Sequence, residues 1–304
     1  MTASTPRSPR GFAARRRKLR RRARRCVLAL VLCAAGLLWL NRPQARIKPY
    51  APRTLTASDP AAAGGFQPLG GALDGDWDEE TRAALAALAQ TEPRVQDMLD
   101  DPDSWPGEVA ALLARNPETL EFVLGYPALS GSAAPQRLEG IARGAYPALL
   151  QWDDRWGKMP YGGSIMALSG CGPTALSIVA CGLTGDASCT PAAVARWADE
   201  NGYAGEGGTS WELMRGGCEQ FGLRAQELSL TQSAVLGALE AGQPVICSMR
   251  PGDFTTAGHF IVLTGVEGGQ LRVVDPNSPS RSAALWDYER LAPQIKNLWA
   301  YTAA

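Results

Sequence analysis

The sequence predicts an α+β protein. Helix-period apolar spacing dominates the chain to about residue 241, and three apolar, β-rich runs then follow at 244–249, 258–266 and 271–274. With 45% hydrophobic and 20% charged residues, the 304-residue chain has the composition of a globular protein, and its length allows one or two domains.

The chain opens on charge. Every charged residue up to Arg53 is basic, fifteen in all, and from Thr54 onward 15 basic residues meet 30 acidic ones. The net charge of zero therefore combines a basic head with an acidic body. The tail 1–25 runs into an apolar stretch, CVLALVLCAAGLLWL, followed by Asn41-Arg42-Pro43 with no small-x-small cleavage site. A transmembrane signal anchor over 26–41 is expected, with a cleaved signal peptide as its alternative. Fifteen residues span about 22 Å of a roughly 30 Å hydrocarbon core, so snorkelling arginines and a thinned bilayer would make up the difference. The positive-inside rule leaves the tail in the cytoplasm and everything after the anchor outside. An apolar run beginning at the last arginine of the tract argues against nucleic-acid binding.

Residues 42–76, rich in Pro, Ala, Gly and Thr, read as a tether. Over 77–128 the apolar positions Leu85, Leu88, Val95, Met98, Val109, Leu112, Leu113, Leu120, Val123 and Leu124, punctuated by Pro93, Pro102, Pro106 and Pro117, predict three or four short helices. Asp74-Gly75-Asp76-Trp77-Asp78 looks like the start of a calcium loop. Glu79 stands where such a loop needs Gly, however, and Leu85 where it needs Glu, so an acidic helix start is the better reading. A linker over 129–145 precedes the main domain, 146–304. There a helix follows Cys171, a second starts at Pro191 with Thr190 as cap, a third begins near Ser210 and a fourth covers about 231–241.

The inventory excludes several chemistries. One histidine rules out a multi-histidine metal site, and seven cysteines without a C-x-x-C pair leave no zinc ribbon. The only Gly-Lys pair, Gly157-Lys158, is followed by Met159, so there is no P-loop. No cofactor and no metal are expected.

His259, the only candidate imidazole base, opens the second apolar run. Cys171 sits in Ser169-Gly170-Cys171-Gly172-Pro173, where glycines allow a tight turn and Pro173 suits the first turn of a helix. At that position the helix dipole favours a thiolate. Cys181, Cys189, Cys218 and Cys247 are the other cysteines after the anchor; the first two are near enough in sequence for a local bridge. Asp275 ends the run after the histidine's. A hairpin centred on Gly268 puts Ile261 opposite Asp275, so that His259 and Asp275 share a face, whereas a one-residue slip separates them. An upstream amide, Gln151, is the candidate second donor for an oxyanion, beside the Cys171 N–H. Trp197, Trp211 and Trp286 are candidates for a substrate groove or for core packing.

These motifs occur in order: Gln151-Trp152-Asp153-Asp154-Arg155-Trp156, Tyr161-Gly162, Gly170-Cys171-Gly172-Pro173-Thr174, Gly208-Thr209-Ser210-Trp211, Gly258-His259-Phe260-Ile261-Val262-Leu263 and Asp275-Pro276-Asn277-Ser278. Together they resemble the double-glycine-leader (bacteriocin-processing) peptidase-like family of papain-like cysteine peptidases, over about 146–302. The resemblance implies a papain-like α+β fold, with Cys171 as nucleophile, His259 as general base and acid, and Asp275 orienting the imidazole. In leader-cleaving members, which are fused to a transporter with an ATPase, the oxyanion glutamine lies six residues before the cysteine, a position held here by Ile165; with one apolar segment and no P-loop in this sequence, a role in exporting bacteriocins is not expected. The expected activity is that of a membrane-anchored, outward-facing cysteine peptidase acting on a peptide or protein. A cell-wall stem-peptide amidase, a non-catalytic binding module and a transferase are the rivals.

Overall fold

A computed structural model describes residues 76–129, 134–205 and 208–304. The basic tail and the anchor expected over 26–41 lie outside these residues, as does the tether up to residue 75. Among the described residues no helix is long and apolar enough to cross a membrane.

Four short helices come first: α1 (Glu79–Ala89), α2 (Val95–Asp100), α3 (Gly107–Arg115) and α4 (Leu120–Gly125). Asp78 caps α1, its carboxylate accepting the Thr81 N–H at 2.6 Å, so the acidic start is a helix cap. Pro102 and Pro117 each open a single 3₁₀ turn, where a missing N–H costs nothing. The apolar positions converge: Leu85, Val95, Met98, Val109, Leu113 and Val123 are all fully buried. Their core also contains Ile165 and Ala167 from further along the chain. The helices are therefore packed on the rest of the protein.

The second part begins with a small hairpin, β1 (Pro160–Tyr161) and β2 (Ser164–Ile165), a turn of helix α5 (Met166–Ser169) and the long α6 (Cys171–Thr184). Next come α7 (Pro191–Glu200), a hairpin of β3 (Ala204–Gly205) and β4 (Gly208–Thr209), and α8 (Trp211–Arg215). Thr190 caps α7 through the Ala193 N–H, and Ser210 caps α8 through the Glu212 N–H. Then follow β5 (Leu223–Glu227), α9 (Gln232–Glu240), β6 (Val245–Met249), β7 (His259–Glu267), β8 (Gln270–Val274), α10 (Pro279–Ala283), β9 (Leu285–Trp286), α11 (Tyr288–Leu291) and β10 (Ile295–Ala303).

Six strands form one antiparallel sheet in the order β5-β10-β6-β7-β8-β9. Three of them, β5, β9 and β10, are absent from the sequence-based expectation, and β10 lies inside the sheet. Its run Leu298–Tyr301 is buried without alternation because both sheet faces are covered. Trp299 and Tyr301 pack with Ile178 of α6, while Leu298 and Ala300 pack with Val235 and Leu239 of α9. The sheet thus lies between helices, where the sequence predicts a helical half on one side.

The β7–β8 hairpin turns on Gly268 and Gly269, with φ of 58° and 86°, which suits a two-residue turn that requires positive φ at both central positions. Beyond the turn Glu267 faces Gln270 and Gly265 faces Arg272, but Leu263 faces Val273 and Val262 faces Val274. The turn register alone would set His259 and Asp275 on opposite faces. One extra residue, Thr264, shifts the strand by one place and returns them to the same face.

Because the helical segment shares its core with Ile165 and Ala167, Leu113→Ala is expected to lower stability by about 2–5 kcal/mol. Unfolding followed in denaturant should remain a single transition. A separate early transition of the helices would show that they fold apart.

Candidate active site

Cys171 is the first residue of α6. Among the described residues, no carbonyl accepts the Cys171 or Gly172 N–H, Pro173 has none, and the Thr174 N–H turns back to the Gly170 carbonyl at 3.1 Å. The positive end of a fourteen-residue helix is therefore open beside the sulfur. All five described cysteines are free thiols, and Cys171 alone is not buried. No bridge joins Cys181 and Cys189; the Cys181 thiol donates to the Cys189 carbonyl at 3.5 Å. Burial pushes the Cys181 thiol up to about 11 and those of Cys189 and Cys218 up to about 12, and it raises Cys247 further, so these four stay protonated and inert.

The glycines around the cysteine act through space. Gly170 has an ordinary φ of −85°. A Cβ on it would lie 2.5 Å from the Met166 carbonyl, and one on Gly172 would lie 2.4–2.7 Å from the Thr209 side chain. The absence of a side chain lets α6 meet β4 closely, with Thr209 held by the Tyr161 hydroxyl at 2.8 Å.

His259 opens β7 and is buried. Its Nε2 lies 2.6 Å from Asp275 Oδ1, which leaves Nδ1 free on a ring that lines the same groove as Cys171. The Asp275 carboxylate is enclosed by donors. Oδ1 also accepts the Asn277 N–H at 2.8 Å, and Oδ2 accepts Arg281 Nε at 2.5 Å. Burial works against the imidazolium, but the charge and hydrogen bond of Asp275, with Cys171 adding to them, outweigh it, and the His259 pKa stands well above its ordinary value. Burial likewise works against the carboxylate, but His259 and Arg281 hold Asp275 below its ordinary range. The stabilisation that the imidazolium provides is complete below the unfolded value of about 6.5 and is lost as pH rises through the raised value.

Gln151 is not brought to this group. It is buried, its Nε2 donates to the Ala167 carbonyl at 2.7 Å, and its backbone N–H donates to the Pro276 carbonyl at 2.7 Å. It ties α5 to the loop after Asp275, and it is not among the residues that line the groove. The open N–H of Cys171 is the donor that faces the site.

Two further residues, which no local sequence signal marks, hold the same loop. Asn116 Nδ2 donates to the Asn277 carbonyl at 2.8 Å, and Glu118 Oε1 accepts the Ser280 N–H at 2.9 Å while Oε2 accepts the Ser278 hydroxyl. Trp152 Nε1 adds a bond to the Asn277 carbonyl at 3.2 Å. Burial pushes the Glu118 carboxyl up, but the serine donors and Arg281 outweigh it and keep it ionised. The helical segment thus clamps the loop that carries Asp275.

Cys171 and His259 open on a groove of about 570 Å³, also lined by Thr209, Trp211, Ser248, Arg250 and Lys296. Trp211 is thus at the groove, whereas Trp197 stacks on Tyr203 and Trp286 packs on Phe254. Among the described residues no group of three or more His, Cys, Asp or Glu side chains is placed to hold a metal ion.

Glu118→Ala strands the loop donors and is expected to cost about 1–3 kcal/mol in denaturant unfolding. It should also slow Cys171 alkylation several-fold. Glu121→Ala, on the exposed face of the same segment, should change neither.

Residues 145–304 match the Peptidase_C39 like family. Among solved structures, the peptidase domain of Streptococcus ComA, a bifunctional ABC transporter involved in a quorum-sensing pathway, is 18% identical, with 45% of this chain and 93% of that chain covered and a TM-score of 0.35. A C39-like peptidase from Bacillus anthracis is 16% identical, with 55% and 97% covered and a TM-score of 0.33. Among curated proteins, none matches. The family match spans more than half of the chain, which belongs to the Peptidase_C39 like family.

Proposed function

We propose that the protein is a cysteine peptidase working through Cys171, His259 and Asp275. One observation carries the reading: a free thiol at an open helix N-terminus lines the same groove as an imidazole whose far nitrogen is bonded to a buried carboxylate. Cys171 Sγ attacks the substrate carbonyl carbon, and the Cys171 N–H receives the developing oxyanion. The C–N bond breaks as the His259 imidazolium gives its proton to the leaving amine, which leaves a thioester. The neutral imidazole then takes a proton from water, whose oxygen attacks the thioester carbon. The C–S bond breaks, and acid and thiolate are released. Asp275 keeps one tautomer and stabilises the imidazolium; it takes no proton itself.

We place this domain outside the membrane, anchored by 26–41. The support is the eleven basic residues at positions 7–25 and the apolar run that follows. Carbonate extraction of membranes, with protease treatment of intact cells, tests this placement; a protein in the soluble fraction, or protected from protease, would contradict it.

Iodoacetamide should label Cys171 ahead of the four buried cysteines, and His259→Ala should slow that labelling by about a hundredfold or more, the usual contribution of a general base. Slow labelling that does not depend on His259 would favour a binding module on the same scaffold. The basic limb of the pH–rate profile should lie above about 6.5, because His259 must be protonated to release the amine. Asp275→Asn removes the charge that raises it, so the limb should move to lower pH. A wild-type limb at the ordinary imidazole value would contradict the assignment.

A further inference from the structure

We infer that the groove beside Cys171 binds a carboxylate of the substrate, through Arg250 and Lys296. The inference rests on the peptidase reading and adds the chemistry of what the site takes.

The body of the protein is acidic, with 30 acidic and 15 basic residues from Thr54 onward. The groove reverses that sign. Apart from Cys171 and His259, its titratable lining residues are Arg250 and Lys296, and no Asp or Glu is among the described residues that line it. Glu206, which falls between β3 and β4 in the chain, lies outside the described residues.

Both cations are placed by the frame. Arg250 follows β6 directly after Met249, which pairs with His259 across the strands, and its N–H is fixed to the Gln294 carbonyl at 2.8 Å. Lys296 projects from β10, its Nζ 5.2 Å from the ring centroid of Trp211. That indole is itself held by Ser248 Oγ at 3.2 Å and packs edge-on against Trp299. Arg94, Arg155, Arg215, Arg272, Arg281 and Arg290 each pair with a carboxylate. Arg250 and Lys296, like Arg82, Arg115, Arg196 and Arg224, have no such partner among the described residues; both are exposed, and what sets them apart is that they line the groove. Two uncompensated cations on the rim of an otherwise acidic molecule attract an anion to the place where the thiol reacts. On a peptide that anion is an acidic side chain or the terminal carboxylate.

Alkylation of Cys171 by iodoacetate and by iodoacetamide tests this without knowledge of the substrate. The reagents displace iodide in the same way and differ in carrying or lacking a carboxylate. The iodoacetate-to-iodoacetamide rate ratio should fall by at least about threefold in Arg250→Gln/Lys296→Gln, and the difference should shrink in high salt. Arg196→Gln/Arg224→Gln, which removes the same net charge away from the groove, should keep the wild-type ratio. A ratio preserved in the groove variant, or lowered equally in both, overturns the inference. Slow labelling by both reagents with the ratio still dependent on Arg250 and Lys296 would sink the peptidase and leave the anion site. Fast labelling with an insensitive ratio would do the reverse.

Digestion of a mixed peptide pool, with free and amidated C-termini, then identifies the source. Acidic residues enriched at a fixed distance from the cut indicate a side chain. Cleavage at a fixed distance from the end, lost on amidation, indicates the terminal carboxylate. Cuts showing neither pattern overturn the inference.

Discussion

A carboxylate with no exposed side-chain surface has to be surrounded by donors, and the Asp275 side chain sets that requirement for the whole site. His259, Arg281 and the Asn277 N–H meet it. Removing a partner from a buried ion pair typically costs about 3–5 kcal/mol. Arg281 is only three-quarters buried and keeps part of its hydration, so most of the constraint falls on the imidazole. The strand register, the turn of α10 and the loop at 276–280 can be understood as the arrangement that brings those donors to one point. A histidine held in this way has a single orientation, with its other nitrogen left free at the groove that Cys171 also lines.

The site joins two kinds of structure. The sulfur stands at a helix end whose N–H groups have no carbonyl partners, and the imidazole stands on a strand in the middle of a sheet buried on both faces. Their approach depends on how closely α6 meets the sheet and the β3–β4 hairpin, which Gly172 permits at Thr209. Neither half has the chemistry alone.

What could be read from the sequence was local. Thr190-Pro191 and Ser210 announce helix starts because a cap is made within three residues. The shared face of His259 and Asp275 was also expected, but by a different route: a turn centred on Gly268 stands in for a two-residue turn followed by a bulge at Thr264. Alternation could not reveal β10, because a strand covered on both faces has none. The glycines beside Cys171 read as freedom of the backbone, while their use is room for neighbouring atoms. Gln151 has the right chemistry for an oxyanion donor but is bonded to Ala167 and does not line the groove. Asn116 and Glu118 were beyond reach, since their partners lie some 160 residues away in the chain.

That last contact separates ancestry from workmanship. The stretch that marks kinship with the peptidases starts at residue 145, while two of the side chains that steady its aspartate loop come from before that point. The recognisable domain thus shares the support of its aspartate loop with a piece outside it. A relative that carries the domain without these helices must steady the loop after its aspartate with residues of its own. Where the borrowed support is present, changes in the helices can alter the site without touching a single residue by which the chain's lineage is known.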